Sequence, residues 1–127
     1  MRYGTIPRGL KESIATVLGV VPYPTLDVLI APLQARALIA AERASVFRSL
    51  SEKNEPTPDL ARKLALDESC LDLVLRLLAS MGYVKQRAGL WSLTRLGKRH
   101  FGVEASRPFG DFVAFGAQQW EWIGRLD

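Results

Sequence analysis

Few residues of this 127-residue chain have the type and spacing for acid–base or nucleophilic chemistry. The one histidine, His100, lies in a Lys-Arg-His-Phe run with no carboxylate downstream before Glu104. A histidine works as a general base when a neighbour fixes its tautomer and it can reach a proton. Without such a neighbour, His100 reads as a surface or half-buried residue. The one cysteine, Cys70, excludes an internal disulfide, and one cysteine with one histidine leaves no usual structural zinc set. Cys70 stands where a helix should begin, which could lower its pKa. A packed, inert thiol is the plainer expectation. The ten glycines include no G-x-G pair, so the turn that brings backbone against a nucleotide-like cofactor is missing. No catalytic, cofactor-binding or metal-binding residue is expected in this chain.

Two groups of residues could bind something instead. Phe109, Phe112, Phe115, Trp120 and Trp122 hold five of the eleven Phe, Trp and Tyr residues. Aromatic faces of this kind can line a pocket for a flat substrate, or be covered in an interface. The second group is basic: Lys85, Arg87, Arg95, Lys98, Arg99 and Arg107 stand against Glu104 alone. It is either a solvated face or a weak phosphate contact.

The elements that position these groups follow from periodicity and punctuation. Leu10 to Val21 reads as a short helix, with Ile14, Val17, Leu18 and Val21 on one face. Pro22-Tyr23-Pro24 should stop it. Thr25 is the expected cap of a second segment carrying Leu26, Leu29 and Ile30, which Pro32 kinks or splits. Leu33 to Leu50 then reads as one helix with a stripe of Leu38, Ala41, Val46, Phe47 and Leu50. Ser51 to Thr57 reads as a loop. Thr57 should cap a helix ending near Leu66, with Pro58 in its first position. Asp67 or Ser69 should cap the next, about Ser69 to Met81, with Gly82 as its left-handed stop.

The period then changes from helical to alternating. Tyr83 to Arg87 and Leu90 to Leu93 should pair as a hairpin around Ala88-Gly89. Thr94 should cap a last core helix, Arg95 to Phe101, and Phe109 to Asp127 is expected to be helical again, continuing to the last residue without a stop signal. That last feature is expected of a fragment, or of a split protein whose remaining domain is separate. The order predicts a mostly α fold: a winged helix-turn-helix with a two-stranded β-hairpin wing, extra N-terminal dimerisation helices and a C-terminal linker helix. The boundaries are 1–33 for the dimerisation helices, 34–104 for the winged-helix core and 105–127 for the aromatic linker.

A winged helix most often binds DNA through its third helix and its wing. The charge argues against that here. Between Asp67 and Gly82, Asp67, Glu68 and Asp72 face a single Arg76, the wrong sign for phosphates. Seven large apolar residues, Leu71, Leu73, Val74, Leu75, Leu77, Leu78 and Met81, imply that much of this helix is buried. A DNA-binding regulator would rely on Arg76 at bases, and on Lys85, Arg87, Lys98 and Arg99 at phosphates.

Three stretches resemble the N-terminal domain of class I S-adenosylmethionine-dependent O-methyltransferases. They are Ala37 to Leu50; Pro58 to Asp67 with Leu71 to Val84; and Leu90-Trp-Ser-Leu-Thr-Arg-Leu-Gly97. The last is similar to a Y-x-L-T-x-x-G pattern, with Trp91 where the family often has tyrosine. The tail from Phe112 to Leu126 is similar to the family's connecting helix. The short-helix, third-helix and wing stretches also resemble regulators of the MarR and ArsR type; the aromatic tail and the weakly charged third helix favour the methyltransferases. The resemblance covers about residues 26–127. It implies a homodimer whose N-terminal helices interlock, and one wall of a small-molecule acceptor pocket. It also implies a catalytic domain in cis or in trans that holds the S-adenosylmethionine.

Composition agrees with a partner-covered surface. The apolar share is 48% before the ten glycines are counted, high against the usual ~45–50% that includes glycine. The proline-broken apolar segment from Leu10 to Leu33 is best buried by a second subunit, with Ile14, Val17, Leu18, Val21, Leu29 and Leu33 as candidate interface residues. The net charge of +4 permits nucleic-acid binding without requiring it. No apolar run approaches the ~20 residues of a membrane span, no secretory signal opens the chain, and the cysteine count fits a reducing, cytoplasmic setting. No membrane partner is expected.

Overall fold

The structure is a computed structural model. It describes residues 23–103 together with Leu10, Lys11, Ile14, Ala105, Val113, Phe115, Gly116, Gln118, Gln119, Trp122, Gly124 and Arg125, and for 23–29 the backbone only. By contact the chain divides into two compact units, Met1–Pro32 and Leu33–Asp127. The described elements are α1 (Tyr23–Arg43), α2 (Val46–Glu52), α3 (Thr57–Leu64), α4 (Glu68–Ser80), β1 (Val84–Arg87), β2 (Leu90–Leu93) and α5 (Arg95–Phe101). These five helices and one two-stranded antiparallel sheet make the described residues mostly helical.

In the first unit, Leu10, Lys11 and Ile14 are helical and exposed, while Val17, Leu18 and Val21 lie outside the described residues. Pro22, where the first segment is expected to stop, lies outside the described residues. Tyr23 and Pro24 belong to α1, and Thr25 lies inside that helix rather than capping it. A proline in the first turn has no intrahelical bond to lose. Pro32 also lies within α1 and does not split it; the helix forgoes one internal bond there.

In the second unit, the expected helix from Leu33 to Leu50 is two helices. The chain breaks at Ser45, which takes a left-handed conformation at φ 60°. The apolar stripe survives the break: Ala41, Val46, Phe47 and Leu50 are buried together with Leu60, Ala61, Leu71, Leu75, Leu78, Val84, Trp91 and Leu93. The fully buried Phe47, Leu60, Leu75 and Leu78 each contribute about 1.5–3 kcal/mol of transfer free energy. Phe101 stacks on Phe47 at 4.4 Å and meets Tyr83 edge-on at 5.4 Å, tying α5 to α2 and to the base of the hairpin.

Local chemistry sets the ends. Thr57 is the first residue of α3 rather than its cap; Pro56 takes the cap position without a side-chain bond. The helix stops at Leu64, earlier than expected, because Ala65 turns left-handed. There the Leu66 amide donates to the Ala61 carbonyl and the Ala65 amide to Arg62, the paired bonds that close a helix without glycine. Asp67, not Ser69, caps α4, accepting from the Cys70 amide at 2.8 Å. Gly82 at φ 84° ends it, with Tyr83 donating to Leu78.

The hairpin pairs Val84 with Leu93 and Arg87 with Leu90. Ala88 and Gly89, at φ 49° and 77°, form the two-residue turn with both φ values positive that matches strand twist. The expected loop before α3 adds to this sheet: Glu55 and Trp91 exchange both backbone bonds. Thr94 caps α5 as expected, accepting from the Gly97 amide at 3.1 Å while its hydroxyl donates to the Gly82 carbonyl at 2.6 Å. In the tail, Val113, Phe115, Gly116, Gln118, Gln119 and Trp122 are helical. Gly124 and Arg125 lie in a turn, so the helix does not continue through them.

Candidate functional site

The outward face of α4 is the first candidate. Leu71, Leu75 and Leu78 point into the core. Successive side chains on the opposite face are Ser69, Leu73, Arg76 and Ser80, all exposed. Leu73 is 68% exposed, the one of the seven apolar residues that departs from the expected burial; the other six are buried or half-buried. The seven residues span more of the circumference than the core can cover. Beside this face an open groove of about 570 Å³ runs between the start of α3, the start of α4 and the hairpin tip, and Thr57, Glu68, Asp72, Leu73 and Gln86 line it. A smaller apolar cleft of about 140 Å³ lies between the end of α1 and α4, floored by Ala40, Ala41 and Ala44.

The groove rests on a chain of polar contacts that sequence reasoning did not find. The Trp91 indole donates to the Thr57 hydroxyl at 2.9 Å, and that hydroxyl faces Asp72 Oδ1 at 3.4 Å. Arg76 Nε donates to Asp72 Oδ2 at 2.6 Å. A buried indole N–H needs an acceptor, so the demand for a partner is legible at Trp91. Its identity is not, because Thr57 lies 34 residues away. The buried Glu55 is held similarly, by Ser49 at 3.3 Å and by Lys63 at 3.6 Å.

Arg76, expected at bases if the chain read DNA, is therefore engaged within its own helix, next to an exposed leucine. That face offers Ser69, Leu73 and Ser80 and no other cation. Base edges are read by forked or amide donors presented into the groove; on this face only Arg76 is of that kind, and its Nε is taken by Asp72.

The second candidate is the hairpin with α5. Lys85, Arg87, Arg95, Lys98 and Arg99 are all exposed. Among the described residues none of the five has an ion-pair partner, whereas Arg48, Arg62 and Arg76 each have one and Lys63 has two. The stretch from Leu73 to Val103 contains no aspartate or glutamate. Lys85 and Arg87 share the hairpin face that points away from the buried Val84 and Trp91, by strand alternation.

Of the tail aromatics, Phe109, Phe112 and Trp120 lie outside the described residues. Phe115 and Trp122 meet edge-to-face at 6.5 Å and are 45% and 56% exposed. Of the expected interface residues, Ile14 and Leu33 are 51% and 60% exposed. Leu29 is helical, with its side chain outside the description.

Cys70 is exposed rather than packed. The hydrogen bond to Asp67 and the negative charge behind it push the thiol above its usual pKa, the reverse of a helix-start thiolate. Asp67 is held below the usual carboxylate range, first by the Cys70 amide. Among the described residues, no group of three or more His, Cys, Asp and Glu could hold a metal. Gly82 and Gly89 make turns, and Gly97 packs its Cα against the Tyr83 carbonyl. No helix among the described residues is long and apolar enough to cross a membrane.

The fold has relatives among solved structures. The O-methyltransferase family 2 protein from Planctomyces limnophilus, in complex with apigenin, is similar over 75% of this chain at 26% identity, with a TM-score of 0.68. An O-methyltransferase family protein from Burkholderia thailandensis is similar over 80% at 20% identity, also with a TM-score of 0.68. CalO1, a methyltransferase in calicheamicin biosynthesis in its SAH-bound form, is similar over 86% at 24% identity, with a TM-score of 0.60. The chain spans only 29%, 31% and 29% of those three structures, so each carries a large part with no counterpart here. No family model matches the sequence, and no curated protein matches it.

Proposed function

We propose that this chain is the N-terminal winged-helix domain of an S-adenosylmethionine-dependent O-methyltransferase. It would join two enzyme subunits and line the acceptor pocket, and a catalytic domain in cis or in trans would bind the cofactor and transfer the methyl group. The carrying observation is the extent of the likeness to the P. limnophilus protein: three-quarters of this chain, but under a third of that one. Three residue-level features support it. The outward face of α4 is built around Leu73 and a self-paired Arg76, unlike a helix that reads DNA. Phe115 and Trp122 leave aromatic surface open. Ile14 and Leu33 leave apolar surface open in the segment assigned to dimerisation. In this reading the enzyme is a cytoplasmic homodimer acting on a small-molecule acceptor, the domain boundaries are 1–33, 34–104 and 105–127, and Phe109, Phe112, Phe115, Trp120 and Trp122 face the acceptor.

The test is to read the source DNA beyond codon 127. The expected result is a frame continuing for ~200 residues with an acidic-x-Gly-x-Gly turn after a strand, or a separate chain with that turn which restores methyl transfer on mixing. A stop codon with no complementing chain overturns the reading. So does methyl transfer by these 127 residues alone.

A further inference from the structure

We propose that the hairpin and α5 form a peripheral docking face for an anionic phospholipid surface. This goes beyond the domain role above, and the two stand or fall on different measurements. The first support is charge. Lys85, Arg87, Arg95, Lys98 and Arg99 are exposed, and no carboxylate among the described residues pairs with them. The stretch from Leu73 to Val103 supplies no acidic residue at all. Clusters of four to eight such cations are what an anionic leaflet attracts, each adding about fivefold to partitioning.

The second support is the apolar residues exposed in the same segment as the cations. Leu90 is 43% exposed, Leu96 41% and Val103 66%. Leu90 is the direct cross-strand partner of Arg87 and so shares its outward face. Apolar side chains among cations suit the boundary between headgroups and acyl chains, where each kind finds its own surroundings. A phosphate backbone accepts the cations but gives the leucines nothing.

The third support is rigidity. Thr94 bonds both the base of the hairpin and the first turn of α5, and Gly97 packs against Tyr83. The cations of the two elements are therefore held on one fixed frame before any contact is made. The expectation of no membrane partner rested on the lack of a spanning segment; a peripheral face needs none.

The test is cosedimentation of the 127-residue chain with vesicles, either phosphatidylcholine alone or with about one-third phosphatidylserine, at low and high salt. The expected result is binding to the anionic vesicles only, lost at high salt. Lys85→Ser with Arg87→Ser weakens it tenfold or more. Leu90→Ser with Leu96→Ser weakens it severalfold, while Arg62→Ser, which removes a cation already paired with Asp59, leaves it unchanged. Circular dichroism melts confirm that each variant is folded. Equal binding to neutral vesicles, or none to either, overturns the proposal. Tighter binding to duplex DNA that ignores the leucine substitutions overturns it too, and assigns the face to nucleic acid.

Discussion

At the residue scale, the most consequential side chain is Thr57. Its hydroxyl accepts the Trp91 indole N–H inside the protein, where Trp91 is 3% exposed. Thr57→Val keeps the shape and removes the acceptor, leaving a buried donor unsatisfied at about 1–3 kcal/mol. Urea unfolding should show that loss, and Thr57→Ser should recover most of it. Thr57 is legible in the sequence as a helix-start residue, but the bond it makes is not. Composition places a threonine before Pro58 and Asp59 without revealing which distant element needs it. Asp67 was legible as one of two caps, and its short side chain at the extended position settles the choice. Its pKa is lowered, so the cap contributes fully above the ordinary carboxylate value of 3.8 and is lost as pH falls through the lower folded value. Asp67→Asn keeps the acceptor and removes the charge that suppresses the Cys70 thiolate. Alkylation of Cys70 near neutral pH should therefore be faster in that variant than in the parent chain.

At the element scale, helix ends and the hairpin carry the departures from expectation. The hydrophobic period and the Gly82 and Thr94 signals give α4, the hairpin and α5 to within a residue or so. The breaks at Ser45 and Ala65 were invisible, because neither is a residue that normally turns left-handed. Tertiary packing imposes these turns on a locally indifferent sequence. They leave stability to be gained. Ala65→Gly and Ala88→Asn should each raise the unfolding free energy, by up to about 1 kcal/mol, since both suit positive φ better. Gly97→Ala should have the opposite effect. Its new methyl group would run into the Tyr83 backbone, which cannot swing away as a flexible side chain could. Paired melts of the three variants check both signs.

At the scale of the whole molecule, exposed apolar positions and segregated charge are the features to explain. If the Leu10–Leu33 segment joins two subunits, light scattering should give twice the chain mass, and Ile14→Asp with Leu33→Asp should halve it while α3 to α5 stay folded. Those two residues are already open to water, so the change adds charge without emptying a core. The tie between Thr57 and Trp91 also has a bearing on how the chain reaches this state. The α3–α4 pair closes through near neighbours, whereas the Glu55–Trp91 bridge and the indole bond close a loop of more than thirty residues. Such distant closures come late, because chain entropy must be given up before they form. Trp91 emission should therefore report the last stage of refolding, trailing the recovery of helical ellipticity in a stopped-flow experiment on a variant that keeps Trp91 as its only tryptophan.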